Sequence, residues 1–402
     1  MSESTTAPTG HGMLRRMTAR RPDEGHRAAT PLELFFDLCF VVAVAQAGVR
    51  LVHALAEGHV ASGLLGYFFV FFAIWWAWMN FTWFASAYDN DDVFYRVAVL
   101  VQIAGVLVLA AGVPRAFDHG NWSVAIAGYV VMRLSMTCQW LRAARHNTGA
   151  ERSMALKYAA GLVIVQLGWI TVLFVPADVR PYLFLVLALA ELSVPPIAER
   201  NFRSTWHPHH IAERYGLFTI IVLGESLTAA TIAVQEGLDE HDHLGELLSI
   251  AGGGLLIVFA VWWIYFANPA QERLTSMKRA LQWGYGHLFI LGSAAAIGAG
   301  IEVAVEQVTG KAHLSPVAAT AAVTIPTALF LLTGWYLQAR HFKRDTAEKA
   351  LMPVTVAVVL ACTFLGTWGV LAAGLVMAVA VTVGTVLSAR PESDTLRKPR
   401  LT

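Results

Sequence analysis

The sequence has few charged residues and few cysteines, and its first 30 residues lack the apolar stretch of a signal peptide. Only 14% of its 402 residues are charged and 56% are hydrophobic, whereas about a quarter of the residues in soluble domains are charged. Its three cysteines lie in apolar runs, which argues against a disulfide framework or thiolate metal site and predicts packing roles. Residues 1–30 contain arginines without an apolar stretch, so we expect a basic tail rather than a signal peptide.

Long apolar runs dominate the rest of the chain. They approach or exceed the roughly 18 to 20 residues that cross a bilayer, and they predict an all-α integral membrane protein with about twelve transmembrane helices. The expected spans are 32–53, 61–84, 93–113, 121–144, 154–175, 181–198, 211–234, 247–267, 281–305, 316–338, 351–366 and 369–388. Only a short glycine-containing stretch separates the last two, so they are either two helices joined by a turn or one long tilted helix.

Positive charge is distributed unevenly between the two ends of these spans. With the N-terminus in the cytoplasm, 23 of the 29 Lys and Arg fall on that side, and three, Arg115, Arg180 and Lys311, fall on the opposite side. This is the positive-inside asymmetry of membrane proteins. It predicts a multi-pass protein of the plasma membrane with both termini in the cytoplasm.

Three short motifs recur in the same order in the two parts of the chain. They pair Glu33–Phe36 with Glu213–Gly216, Ala73–Trp76 with Ala260–Trp263, and Trp140–His146 with Trp335–His341. Ordered matches predict an internal duplication, and six spans per unit would make the repeats parallel. The expected domains are a basic cytoplasmic tail (1–30), a first six-helix half (31–200), a second six-helix half (201–388) and a cytoplasmic tail (389–402).

The first span begins with two carboxylates on one helical face. Glu33 and Asp37 are four residues apart, so they lie about one turn from each other. Capping of the helix dipole explains Glu33 well and Asp37 poorly, because Asp37 lies roughly 8 Å into the span. Ionisable groups in hydrocarbon are costly and mark pathways or interhelical pairs. Both residues are candidates for a substrate or ion pathway.

The seventh span has the highest density of polar residues. His209 and Glu213 share a face at its start, as do His210 and Arg214. No spacing here matches a metal signature, so we expect no metal and interpret the histidines as interfacial residues. Glu225, followed by Ser226, lies roughly 20 Å beyond the start.

Other polar residues lie inside spans of the first half. Arg133 is central in the fourth span and is a candidate partner of Glu225. Glu191 precedes Pro195 and Pro196, a pair expected to break or kink its helix and leave carbonyls without partners, as at the edge of a cavity. Buried amides often join helices by hydrogen bonds, so the candidates of lesser weight are Gln46 and Asn80.

The aromatic cluster Phe68–Phe84 contains four tryptophans. Amphipathic indole rings are enriched where membrane and water meet. We therefore expect most of these tryptophans to face lipid or the interfacial belt.

Two stretches carry a family resemblance. TPLELFFDL at 30–38 and ERYGLFTIIVLGES at 213–226 resemble the bacterial low temperature requirement A family, and the resemblance extends over about residues 27 to 388. It implies a polytopic bacterial plasma-membrane protein linked by name to growth in the cold. It implies no established substrate or reaction.

These observations favour a transporter or channel for protons, cations or a small solute, with its pathway between the two halves. The carboxylates suit a proton or alkali cation better than an anion. The alternatives are an intramembrane enzyme, for which no catalytic motif or cofactor signature is evident, and a structural or sensory membrane protein involved in cold growth. A net charge of +1 predicts no nucleic-acid partner, and we expect contact with membrane lipid and no cofactor.

Overall fold

A computed structural model describes residues 14–20, 28–239, 243–343 and 345–389. Most of the two predicted tails, residues 1–13, 21–27 and 390–402, lies outside the described residues. The described residues form twelve α-helices and no strand: α1 (Pro31–Ala56), α2 (Val60–Tyr88), α3 (Val93–His119), α4 (Ser123–His146), α5 (Gly149–Thr171), α6 (Arg180–Ala198), α7 (Pro208–Asp239), α8 (Leu244–Phe266), α9 (Met277–Val308), α10 (Pro316–Leu337), α11 (Thr346–Cys362) and α12 (Gly369–Ser388).

Ten stretches of the described chain are long and apolar enough to cross a membrane. They are α1 to α6, α8 to α10, and α11 with α12 counted as one stretch. The seventh helix, which carries several charged residues, is not among them. The chain is therefore an all-helical membrane protein, while twelve crossings and a duplicated architecture stay predictions.

The last two described helices, α11 and α12, form a helical hairpin. The backbone turns at Gly366, whose φ of 59° and ψ of −136° are non-helical and suit glycine. A Cβ on Gly384 would meet the Leu351 side chain at 3.4 Å, and one on Gly369 would meet the Cys362 carbonyl oxygen at 2.4 Å. Early residues of α11 thus lie beside late residues of α12, so the two helices run antiparallel.

The first helix lies at the centre of the bundle, in contact with α2, α3, α7 and α9. The third helix packs along α4, α9 along α10, and α8 along α12. At the α8–α12 contact, a Cβ on Gly253 would lie 2.6 Å from the Leu371 backbone. The run Gly252–Gly254 thus permits close helix packing.

The described part of the N-terminal tail packs against the end of the bundle where α2 meets α3 and α4 meets α5. The Arg15 N–H donates to Asp92 at 2.8 Å, and the Met17 N–H donates to His146 Nδ1 at 3.1 Å. The Met17 side chain is fully buried. A fixed tail segment therefore covers this end of α3 and α4.

Candidate functional site

A buried ion-pair cluster joins α1 to α7. Arg214 Nε donates to Asp37 Oδ2 at 3.1 Å, and Trp78 Nε1 of α2 donates to Asp37 Oδ1 at 2.7 Å. Arg214 Nη1 and His210 Nε2 each lie 3.2 Å from Glu33 Oε1. All four ionisable side chains are at most 1% exposed. Four of the candidate residues from the first and seventh spans thus form one cluster, called here the Asp37 cluster.

Local sequence explains how Glu33 reaches this position. Thr30 is the N-cap of α1, and its hydroxyl oxygen accepts from the Glu33 N–H at 3.3 Å. Glu33 Oε2 accepts in return from the Thr30 N–H at 2.7 Å, which completes a capping box. One carboxylate oxygen of Glu33 caps the helix, and the other faces Arg214 and His210.

A second buried cluster joins α2, α4, α5 and α6 and is called here the Glu191 cluster. Arg133 Nη2 is 3.1 Å from Glu191 Oε1, which also accepts from Tyr129 Oη at 3.3 Å and Trp169 Nε1 at 3.1 Å. Trp76 Nε1 donates to the other oxygen, Oε2, at 2.7 Å. Arg133 also donates to the Tyr129 hydroxyl. Charge and aromatic N–H and O–H donors together stabilise a carboxylate away from water.

The helix carrying Glu191 does not break where the sequence suggested. The sixth helix continues through Pro195 and Pro196 and ends at Ala198, because the prolines fall in its last turn. Pro196 has no N–H for the Leu192 carbonyl, and Tyr285 Oη of α9 donates to that oxygen at 2.9 Å. The expected break is therefore wrong, and a neighbouring helix supplies a partner for a freed carbonyl.

Two cavities adjoin the Glu191 cluster, one toward each end of α2 and α6. The Trp169 cavity, about 180 Å³, lies toward the α3–α4 loop and has mainly apolar walls from α2 to α6. The Tyr158 cavity, about 30 Å³, lies toward the α4–α5 and α6–α7 loops. The smaller one has room for about one water. Its lining includes Trp76, Asn80, Trp140, Tyr158, Glu199 and Ser204.

Glu191 lies between these cavities. Its Oε1 is bonded to Tyr129 and Trp169, which line the Trp169 cavity. Its Oε2 is bonded to Trp76, which lines the Tyr158 cavity. A single buried carboxyl group therefore contacts the walls of two cavities at opposite ends of a helix bundle.

A second carboxyl group, Glu199, lies at the far end of the Tyr158 cavity. It accepts hydrogen bonds from Tyr158 Oη and Ser204 Oγ, each at 2.7 Å. Burial raises the pKa of Glu199 above its ordinary value, although the bonds from Ser204 and Tyr158 oppose this. The group therefore holds a proton more tightly than an exposed glutamate does.

The remaining candidate residues lie outside the two clusters. Asn80 Nδ2 donates to the Trp76 carbonyl at 2.7 Å and lines the Tyr158 cavity. Ser226 Oγ donates to the Ala294 carbonyl at 3.0 Å. Gln46 is half-buried.

Two candidates at the start of α7 line a separate surface recess near α8. These are His209 and Glu213, and Glu213 Oε1 also accepts from the Ala29 N–H at 3.3 Å. Glu225, farther along, is exposed. Arg133 therefore has its ion pair with Glu191 and not with the suggested partner Glu225.

The tryptophans of α2 are not the lipid-facing residues that the sequence suggested. Trp75, Trp76 and Trp78 are at most 1% exposed, and the latter two donate to buried carboxylates. The expectation was wrong because it considered only the amphipathic ring, whereas a buried indole N–H usually finds an acceptor. Acidic residues in other spans, Asp37 and Glu191, could have indicated that these indole N–H groups donate to buried carboxylates.

Two comparisons relate the chain to known proteins. Residues 28–388 match the family model described as bacterial low temperature requirement A protein. An uncharacterized protein of Rhizobium meliloti (strain 1021) is 28% identical over 295 residues, which is 68% of each chain. The family match spans both clusters and nearly all of the described helices. The chain belongs to the bacterial low temperature requirement A protein family.

Proposed function

We propose that the protein is a plasma-membrane transporter that moves protons, coupled to a small solute, through its first six-helix half. Glu191 is the proton-binding group, and the Trp169 cavity holds the solute. Both termini are cytoplasmic in this proposal, so the Tyr158 cavity opens toward the cytoplasm and the Trp169 cavity opens away from it. The exposed apolar side chains of the helices contact lipid.

The contact of the Glu191 carboxyl group with both cavity walls carries the proposal. A group that binds a proton in transport must exchange it with each side of the membrane in turn. Glu191 is 1% exposed, and the aromatic side chains to which it is bonded line the two cavities. Small rotations of Trp76 or of Trp169 would give water access to one carboxylate oxygen at a time.

The position of Arg133 favours a proton over an alkali cation at this site. An alkali ion on Glu191 would lie close to a guanidinium that is 3.1 Å from the same carboxylate, and like charges repel strongly in a low-dielectric interior. A proton instead forms a covalent O–H bond and neutralises the carboxylate. The site therefore suits proton transfer.

A route for the proton also exists on the side of the Tyr158 cavity. Glu199 is the C-cap residue of α6, eight residues beyond Glu191, which corresponds to about 12 Å along the helix axis. The cavity between them has room for about one water and is lined by the Asn80 amide. Glu199, with its raised pKa, would pass protons toward Glu191 through this water.

The Asp37 cluster has a different role in this proposal. Neither cavity is lined by Glu33, Asp37, His210 or Arg214, and aromatic rings pack around the cluster, with Trp78 stacked on Phe218 at 4.5 Å. We assign it to holding α1 against α7. The proposed pathway therefore lies mainly inside the first half, and Met277 and Leu281 of α9 close one side of the Tyr158 cavity, whereas the sequence suggested a pathway between the halves.

Proton flux in liposomes tests this function. Purified protein is reconstituted with a trapped pH-sensitive dye, and the internal pH is followed after an external pH jump. We expect Glu191→Gln to lower the protein-dependent flux at least about tenfold, because a proton-binding group contributes of that order or more to proton transfer. The matched change Glu246→Gln, at an exposed carboxylate of α8, should leave the flux unchanged.

Two results would contradict the proposal. The first is wild-type liposomes that conduct no faster than empty liposomes across a panel of added solutes. The second is a Glu191→Gln variant that conducts at the wild-type rate. The first would favour a structural or sensory membrane protein, and the second would show that protons cross without using Glu191.

A further inference from the structure

We propose that the solute is a small apolar monoanion, such as an aromatic carboxylate, which binds in the Trp169 cavity together with the proton on Glu191. This inference rests on the proposed function and names the substrate class of the same site. It follows from the unused donor capacity of Arg133, from the charges around the cavity and from the charge balance of the Glu191 cluster.

One N–H group of Arg133 has no hydrogen-bond acceptor among the described residues. Arg133 is 3% exposed, and this group is its Nε–H. Its Nη2 is bonded to Glu191 and Tyr129. A guanidinium presents five N–H donors in a planar fork that matches a carboxylate. A buried arginine with an unmet donor is a place where an incoming carboxylate gains a hydrogen bond.

The Trp169 cavity has mainly apolar walls, with Arg180 in its lining and Arg133 behind the lining residue Tyr129. No acidic side chain is found among its described lining residues. Tyr129 forms part of its floor, with the Arg133 guanidinium 4.6 Å from the centre of the Tyr129 ring. At its mouth, Arg180 donates to the Gly120 and Val175 carbonyls at 2.7 and 3.2 Å. An anion with an apolar body fits this arrangement, and a cation does not.

The volume of the cavity limits the size of the solute. An apolar cavity of about 150 Å³ holds one benzene molecule, and the Trp169 cavity measures about 180 Å³. The rings of Trp122, Trp169 and Phe184 line it. A single aromatic ring, or an aliphatic chain of similar bulk, would therefore fill the space.

Charge balance couples the anion to the proton. The charged or titratable groups facing Glu191 are Arg133 and Tyr129 of α4, while α2 and α5 contribute Trp76 and Trp169. From α9, the Tyr285 ring lies against Trp76 with 5.6 Å between the ring centres. The resting pair of Glu191 and Arg133 is neutral. The solute must keep it neutral, because an unpaired charge at this depth is costly.

The coupled step is an exchange of partners. A proton from solution forms an O–H bond on a Glu191 oxygen, and the ion pair with Arg133 is lost. The carboxylate of the solute then accepts from Arg133 and restores neutrality. On release, the O–H bond breaks, the proton returns to solution and Arg133 pairs again with Glu191. One proton and one monoanion therefore move together, with no net charge transferred.

Equilibrium binding of radiolabelled benzoate to the purified protein in detergent tests the inference, with benzamide as the uncharged isostere. Measurements are made at several pH values at which benzoate stays ionised. Uptake of one proton per benzoate makes the affinity rise about tenfold for each unit of pH lowered. Benzamide should bind more weakly and without this pH dependence.

Two variants separate the roles of the paired residues. Glu191→Gln imitates the protonated carboxyl group, so it should bind benzoate tightly and independently of pH. The double variant Arg133→Gln with Glu191→Gln removes both charges and leaves no unpaired ion, so it should fold and bind no benzoate. Elution as a single symmetric species in size-exclusion chromatography checks the fold of each variant.

Wild-type protein that binds no benzoate at any pH, equal binding of benzamide, or benzoate binding that survives in the double variant would overturn the inference. Its failure is distinguishable from failure of the proposed function, because binding is measured without a membrane. If proton flux depends on Glu191 but benzoate does not bind, the proposed transporter function stands and the anion as its solute is ruled out. If benzoate binds but the protein conducts no protons, the anion-binding site stands and the proposed transport function is ruled out.

Discussion

Each buried ion pair singled out above joins two different helices. Asp37 pairs with Arg214, and Glu191 pairs with Arg133. Replacing both members of such a pair can be nearly neutral, whereas removing one leaves an uncompensated charge in a low-dielectric interior. Single and double substitutions at these residues should therefore have very different effects on stability.

Asp37→Asn should lower the free energy of unfolding by about 3 kcal/mol, the low end for breaking a buried ion pair, because Arg214 loses its closest partner but keeps Glu33. Trp78→Phe, which removes only the indole donor to Asp37, should cost about 1 kcal/mol for its hydrogen bond. Unfolding in mixed detergent micelles, followed by circular dichroism, measures both. The triple variant Glu33→Gln, Asp37→Asn and Arg214→Gln should recover part of the loss, because it leaves neither carboxylate of the cluster facing an absent guanidinium. An Asp37→Asn variant within about 1 kcal/mol of wild type would show that the pair does not hold α1 to α7.

The sequence identified the buried charges but not their partners. Rarity of charge in apolar spans was enough to single out Asp37, Arg133, Glu191 and Arg214, because each is costly in hydrocarbon. The pairs, however, are 58 and 177 positions apart, and no local spacing encodes such contacts. Arg133 was consequently considered with Glu225, which lies on another helix and is exposed.

At the scale of the helices, the predicted spans agree with the structure to within a few residues at most ends. The main differences are extensions past the apolar core, as in α2, which continues to Tyr88, and α7, which begins at Pro208. Hydropathy marks the hydrocarbon region, whereas helical hydrogen bonding continues into the polar interface. The predicted break in α6 was wrong because a proline interrupts a helix less when it lies close to the helix end, as Pro195 and Pro196 do.

The C-terminal end of α6 carries a pH-dependent contribution to stability. Burial raises the pKa of Glu199 above its ordinary value of 4.5, so the folded state binds this proton more tightly than the unfolded state. The contribution is fully present below the ordinary value and is lost as pH rises through the raised value. Glu199→Gln cannot titrate, so it should gain stability relative to wild type as pH rises from about 4 to about 7.

Melting temperatures of wild type and Glu199→Gln in detergent, taken across this pH range, measure the effect. Glu246→Gln serves as the control, because its carboxylate is exposed and should show no such trend. If the difference in melting temperature between wild type and Glu199→Gln stays constant across this pH range, the pKa of Glu199 is not raised in the folded protein. That result would also remove the proposed proton route through the Tyr158 cavity.

At the scale of the whole molecule, the two parts of the chain do not offer equivalent sites. Trp75 and Trp76 are buried, and Trp76 donates to Glu191. In contrast, Trp262 and Trp263, which match them in the proposed repeat, are 46% and 49% exposed. A duplication predicts similar backbones and does not require similar function. The second half, in this account, supports the first through the Asp37 cluster and the packing of α9.

The central claim is that the Trp169 and Tyr158 cavities open to opposite sides of the membrane, with Glu191 between them. Ala73 lines the first cavity and Asn80 lines the second, and both are half-buried. In protein whose native cysteines, Cys39, Cys138 and Cys362, are replaced by alanine, each can be changed singly to cysteine. A small membrane-impermeant thiol reagent is then added to one side or the other of oriented vesicles.

We predict that Ala73→Cys is labelled from the side of the α3–α4 loop only and Asn80→Cys from the side of the N-terminal segment only. Labelling of both cysteines from the same side, or of either cysteine from both sides, would contradict a pathway through the first half that is divided at Glu191.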